Sequence, residues 1–200
     1  LAVGKFSSQL ITFLMLPIYT AYLAPSDYGV VDLAITYVAL LAPTMTLQME
    51  MAAFRFLIDA RQSESEKKRV ISNALQVAVT MVLVLIAGVV LINQFVSIPY
   101  VWLILAIVVM AVFSGLCLQI ARGLGKNVNF AVASIITGVV TVTSNIYLIV
   151  FLHMGAAGLL TSMLLAHVAT VVYLVFSLRL YRYISFSAGD RELKKELLKY

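Results

Sequence analysis

The chain has one cysteine, two histidines and few charges, and each shortage excludes a class of protein. The lone cysteine, Cys117, lies inside an apolar stretch, which leaves neither a disulfide framework nor a CxxC-type metal site. His153 and His167 stand far from any acid cluster. There is no GxSxG, no HExxH, no phosphate-binding loop and no pair of acids flanking a cleft, so no catalytic constellation, metal site or cofactor site is read. Charged residues make up 12% of the chain, about half of what a soluble domain carries. A net charge of +5 on a soluble module would point to nucleic acid, but no such module is present.

What is there is hydrocarbon. Apolar residues make up 62% of the 200 positions, in stretches of about twenty separated by short breaks. Six membrane spans are expected, about 6–24, 28–58, 70–93, 98–121, 128–152 and 156–178. The breaks carry turn chemistry: Pro25-Ser26-Asp27, the QSESEKK segment, Ser97-Ile98-Pro99, the run from Gly123 to Asn127, and Gly155-Ala156-Ala157-Gly158. Lys5 ahead of an apolar body has the look of a signal peptide. Pro25 would follow cleavage at Ala24, however, and more spans come after, so a retained helix is expected.

Charge fixes the orientation. Lys5 precedes the first span; Arg61, Lys67, Lys68 and Arg69 fill the second break, and Arg122 and Lys126 the fourth. Arg179, Arg182, Arg191, Lys194, Lys195 and Lys199 follow the sixth span, and the three opposite loops contain no Lys or Arg. Such residues gather on the cytoplasmic side, so a multi-pass protein of the cell membrane with both ends of this segment cytoplasmic is expected. Residues 183–200, with leucines at 193, 197 and 198, read as a cytoplasmic amphipathic linker at the interface. Residues 1–182 are then one bundle. The missing initiator Met and the linker's abrupt stop predict a longer chain with a further bundle beyond it.

A few polar residues sit where hydrocarbon should be. In Leu47 to Asp59, LQMEMAAFRFLID, Glu50 and Arg55 occupy membrane depth, where ionisable groups face a bundle interior or a watery cavity. The second span is long, ~46 Å as one helix, so it has to tilt, protrude or kink, and Pro43 offers a kink. On an unbroken helix Asp32 and Glu50 share one line, whereas Arg55 lies ~140° round from Glu50. The two charges are therefore not placed to pair, and Asp59 is the better local partner for Arg55. Arg55 is read either as a snorkelling anchor or as a cavity cation, and Glu50 either as a buried satisfied carboxyl or as a transport group. Asp32 and His153 read as interfacial. His167 could titrate near neutral pH or simply be packed. Asn145, Thr141, Thr143 and Ser144 on the fifth span, with Gln9 and Gln119, read first as interhelical hydrogen-bonding residues. Trp102 reads as an interface anchor.

The opening GKFSSQLITFLMLPIYTAYLAPSDYGVVDLAITYVALLAPTMTLQMEMAAFRFLID resembles that of the oligosaccharide flippases of the MOP superfamily. The shared pieces are a Gly-Lys start, Pro17, the Leu23–Gly29 run and the Glu50–Arg55 segment. LQIARGLGKNVNFAVASIITGVV and MGAAGLLTSMLLAHV resemble the family's fourth to sixth spans, so the likeness covers nearly the whole chain. It implies an all-α, six-helix lobe, one of two in a MATE-like transporter whose central cavity opens alternately to either face. The implied cargo is a lipid-linked oligosaccharide of the undecaprenyl-diphosphate type, moved from the cytoplasmic to the outer leaflet. Arg55 then becomes a substrate-cavity candidate with Glu50, Gln48, Asn145 and Lys5, while Glu50 and His167 become coupling candidates. Asp32 falls where a small or neutral residue is expected and carries no implied role. The alternatives are a cation-coupled multidrug or metabolite exporter of the same superfamily and a non-transporting membrane scaffold.

Overall fold

A chain in hydrocarbon has no water to satisfy its backbone, so each span closes its own hydrogen bonds as a helix. The computed structural model describes residues 19–183 together with Leu193, Lys194 and Leu197. Lys5, Gln9, Pro17 and most of the first expected span lie outside the described residues, as does most of the linker.

All regular structure among the described residues is helical. After a helical end at residues 19–22 come α1 (Pro25–Thr46), α2 (Met49–Asp59), α3 (Glu64–Asn93) and α4 (Val101–Gly123). Then follow α5 (Asn127–Asn145), which continues as a π-helix over Ile146–Phe151, and α6 (Gly155–Ser177). α1, α3, α4, α5 with its extension, and α6 are each long and apolar enough to cross a membrane.

Local chemistry sets the boundaries. Pro25 opens α1 at a position where its missing N–H costs nothing. Ser63 and Glu66 form the start of a capping box on α3: the Ser63 hydroxyl accepts from the Glu66 N–H at 3.4 Å. Ion pairs Glu64–Lys67 and Glu66–Arg69 follow one turn apart. Gly125, at φ +75°, supplies the left-handed residue that ends α4. Gly158, expected in a turn, instead lies in the first turn of α6, buried against Leu148.

The helices run up and down, so the breaks gather at two ends. At one end the Arg61 Nε donates to the Gly123 carbonyl at 2.8 Å, and Ser72 donates to the Tyr183 carbonyl at 2.6 Å. At the other end the Tyr22 and His153 rings stack and Asp27 lies beside Gly155. The first end carries Arg61, Lys67, Lys68, Arg122, Lys126, Arg179 and Arg182, and the connections at the other end carry no Lys or Arg. It is called the basic end below.

α4 packs against every other described helix and forms the axis of the bundle. Its basic-end half joins one core, with Ala52, Ala53 and Leu57 of α2, Ile71 and Ala74 of α3, and Leu174 of α6. Leu193 and Leu197 of the linker are buried in this same core. Its other half joins a second core, with Val31 and Ala34 of α1, Ile149 and Leu160. Lipid tails are as apolar as leucine, so this packing depends on close approach and not on hydrophobic exclusion. The tightest approach is at Gly123, where a Cβ would stand 2.7 Å from the Leu57 Cβ.

Gly123→Val is expected to destabilise the bundle by about 1–3 kcal/mol through overpacking. Gly115→Ala, with nothing within 4 Å of the added carbon, is expected to be neutral or stabilising. Thermal unfolding of the two variants in detergent measures the contrast.

Candidate functional site

The second expected span is not one helix. α1 stops at Thr46 and α2 starts at Met49, with Leu47 (φ 49°) and Gln48 (φ 54°) both in the left-handed region. Two successive non-glycine residues in that region are costly, about 1–2 kcal/mol each. The break therefore has a cause, and it lies just upstream. Pro43 has no N–H for the Ala39 carbonyl and weakens the helix from within. The Thr44 and Thr46 hydroxyls bond back to the Leu40 and Ala42 carbonyls at 2.6 and 3.1 Å, a pattern that bends helices. The freed end is tied off by the Gln48 N–H to the Pro43 carbonyl at 3.2 Å and the Leu47 N–H to the Thr44 carbonyl at 3.3 Å. The distortion expected at Pro43 thus takes the form of a full break four residues later.

Its depth matters. Leu47 stands twelve residues before Asp59, ~18 Å from the basic end and near mid-height of the ~34 Å axial helix α4. There α2 begins a new N-terminus, and Glu50 falls in its first turn, where the helix dipole favours a carboxylate. The break also cancels the expected alignment of Asp32 with Glu50, because angular register does not carry across it. Within α2, Arg55 remains ~140° from Glu50.

Leu47 is 53% exposed, and Gln48, Met51 and Arg55 are exposed beside it. Along α1, Asp32, Thr36 and Thr44 are exposed as well. Non-helical backbone at membrane depth is tolerated only where protein covers it or where it lines a watery cavity. The exposed strip mixes broken backbone, an acid, a base, an amide and two hydroxyls with the exposed apolar side chains of Leu33, Leu40, Leu47 and Met51. Glu50 turns inward from it: it is half-buried, and its Oε2 is buried with no hydrogen-bond partner among the described residues. Such an oxygen needs a donor, whether a proton, a water or a ligand hydroxyl.

The other expected site residues lie elsewhere. Asn145 is 1% exposed and is not on the polar face. Its Nδ2 donates to the Tyr19 hydroxyl at 2.7 Å and its Oδ1 accepts from Ser162, so it ties the first span, α5 and α6 together. α5 passes into its π-helix at this residue. Sequence periodicity gives no sign of Tyr19 or Ser162 as partners, since they stand 126 and 17 residues away. His167 is half-buried, with Nδ1 2.8 Å from the Ser114 hydroxyl, which also donates to the Ala111 carbonyl at 3.0 Å. It joins α6 to α4 as a packed residue. The Thr137 and Thr170 hydroxyls meet in the same way between α5 and α6. Lys5 lies outside the described residues.

Asn145→Ala removes the bonds to Tyr19 and Ser162, leaving the Ser162 hydroxyl its bond to the Leu159 carbonyl, and is expected to cost about 1–3 kcal/mol. Gln48→Ala, on the exposed face, is expected to leave the melting temperature in detergent unchanged.

Comparison with known proteins fits this geometry. The structure superposes on an outward-facing multidrug resistance MATE family transporter of the MOP superfamily with a TM-score of 0.82 and 18% sequence identity. The match covers 98% of this chain and 48% of that one, so the chain spans about half the length of that transporter. No curated protein matches by sequence. The whole chain, residues 1–200, matches the family described as polysaccharide biosynthesis protein, and the chain belongs to that family.

Proposed function

We propose that this chain is one lobe of a flippase that carries a lipid-linked oligosaccharide, of the undecaprenyl-diphosphate type, from the cytoplasmic to the outer leaflet of the cell membrane. The observation that carries the reading is the break at Leu47–Gln48, which opens on an exposed face at mid-membrane. A scaffold has no use for irregular backbone there, whereas transporters build their substrate sites from such discontinuous helices. Family membership points the cargo towards polysaccharide synthesis. The accumulation of Lys and Arg makes the basic end cytoplasmic.

On this reading a second six-helix lobe of the full-length protein faces α1 and α2 across a cavity, and the cavity opens alternately to either side. The protein makes no bond; it shields a hydrated head group from hydrocarbon while the lipid tails stay outside. Arg55 meets the anionic diphosphate as it enters from the basic end. Gln48, Thr44 and Thr36 offer hydrogen bonds to sugar hydroxyls beyond it. Glu50, whose Oε2 needs a donor, is the coupling group: taking up a proton makes that oxygen a donor itself and removes a charge from the site. His167 and Asn145 hold helices together and leave this role to Glu50. Lys5 stays a candidate for the cavity mouth.

A cation-coupled drug exporter is the second reading, favoured by the multidrug transporter that shares the fold. Cells depleted of the protein separate the two. The flippase predicts complete lipid-linked saccharide units accumulating on the cytoplasmic leaflet, whereas the exporter predicts none, with heightened sensitivity to cationic drugs. Arg55→Ala is expected to cut flux at least tenfold at unchanged protein level, and Glu50→Gln to cut flux and flatten its pH dependence. Flux and pH profile both intact in Glu50→Gln would remove Glu50 from the coupling role.

A further inference from the structure

The basic end contains two adjoining grooves that the broken span does not reach. One, of about 430 Å³, is lined by Glu64, Lys67, Lys126, Arg179 and Tyr183, with Asn129, Ser177, Leu124 and Leu178. The other, of about 310 Å³, shares Glu64, Leu178, Arg179 and Tyr183 and adds Lys68 and Arg182. Among the described residues, five cations from the ends of α3, α4 and α6 thus converge on a single acid. Glu64 is already engaged: its Oε1 takes Lys67 at 2.6 Å, and its Oε2 accepts from the Tyr183 hydroxyl at 3.4 Å. Partial burial, then the Glu64 carboxylate, pushes the Tyr183 phenol above its ordinary pKa, which keeps it a donor. Lys68, Lys126, Arg179 and Arg182 have no acidic partner among the described residues.

Two further features give the larger groove a ligand chemistry. α5 starts there at Asn127 without a side-chain cap, so its first N–H groups and positive dipole end add to the cations. The Asn129 amide donates to the Ser177 hydroxyl, which bridges α5 and α6 at the groove. Apolar side chains line it as well: Leu124 and Leu178 stand just past the ends of two helices long and apolar enough to span a membrane. A soluble anion needs the charges but not the leucines.

We infer that this groove seats the phosphate of an anionic membrane phospholipid, between Lys126 and Arg179, with its acyl chains leaving past Leu124 and Leu178. The seated lipid ties the starts of α3 and α5 to the end of α6 and stabilises the basic end of the lobe. It is a resident lipid site, and it does not depend on what the cavity transports.

The test is thermal unfolding of the purified protein in neutral detergent, titrated with short-chain phosphatidylglycerol. Short-chain phosphatidylcholine and inorganic phosphate serve as matched probes. Phosphatidylglycerol is expected to raise the melting temperature, and its half-maximal concentration to rise about fivefold in Lys126→Gln and again in Arg179→Gln, the factor one cation near a lipid surface supplies. Arg69→Gln, a cation paired with Glu66 and outside both grooves, is expected to leave the titration unchanged. Melting temperatures without lipid report whether each variant folds, and two independent groove variants guard against one that does not. An equal shift with phosphatidylcholine, the whole shift reproduced by inorganic phosphate, or equal weakening in Arg69→Gln would each overturn the assignment.

Discussion

Inside a membrane the backbone has to satisfy itself, and the architecture of this lobe follows from where that requirement is met and where it is broken. Among the described residues, the four long helices from Glu64 onward run unbroken across the bundle. The segment from Pro25 to Asp59 does not: two left-handed residues interrupt it at mid-height, on a face the lobe leaves uncovered. The break gives α2 an N-terminus deep in the bundle, and that terminus explains how an acid is tolerated there. Within α2, Glu50 and Arg55 stand ~140° apart, on separate sides of one short helix.

The rest of the lobe packs behind that face. Small residues let α2 lie close against the axial helix, with Ala52, Ala53 and Gly123 at the contact. Arg61 reaches across to the carbonyls of Arg122 and Gly123, a cation placed on the negative end of α4. Arg122 in turn lies over the rings of Phe54 and Phe130, locking α2 and α5 to the same corner. On the far side, polar pairs bind α5 and α6 to their neighbours: Asn145 with Tyr19 and Ser162, Thr137 with Thr170, His167 with Ser114. The polar residues at membrane depth therefore fall into two groups, those that join helices and those left on the open face.

That division was only half legible beforehand. The spans, their polar breaks and the one-sided distribution of Lys and Arg are plain in the sequence, because each is a matter of composition over a window of residues. Asn145 and Gln48 look alike in a sequence, as two amides in apolar surroundings. One is locked between three helices and the other stands in the open, and nothing within a turn of either separates them. Asp32 shows the same limit: its alignment with Glu50 holds on an ideal helix, and the break at Leu47–Gln48 removes it.

The sequence by itself determined that the chain crosses a membrane several times, which end is basic, and that Glu50 and Arg55 need an explanation. Hydropathy and charge are sums over neighbouring residues, so they survive without coordinates. Only the tertiary structure decided how those charges are housed. The helix break takes its shape from Pro43, two threonine hydroxyls and the packing of α2 on α4 together, and exposure depends on which other helices arrive. The packing of α2 on α4 joins residues such as Leu57 and Gly123, more than sixty positions apart, and no short window along the chain contains it.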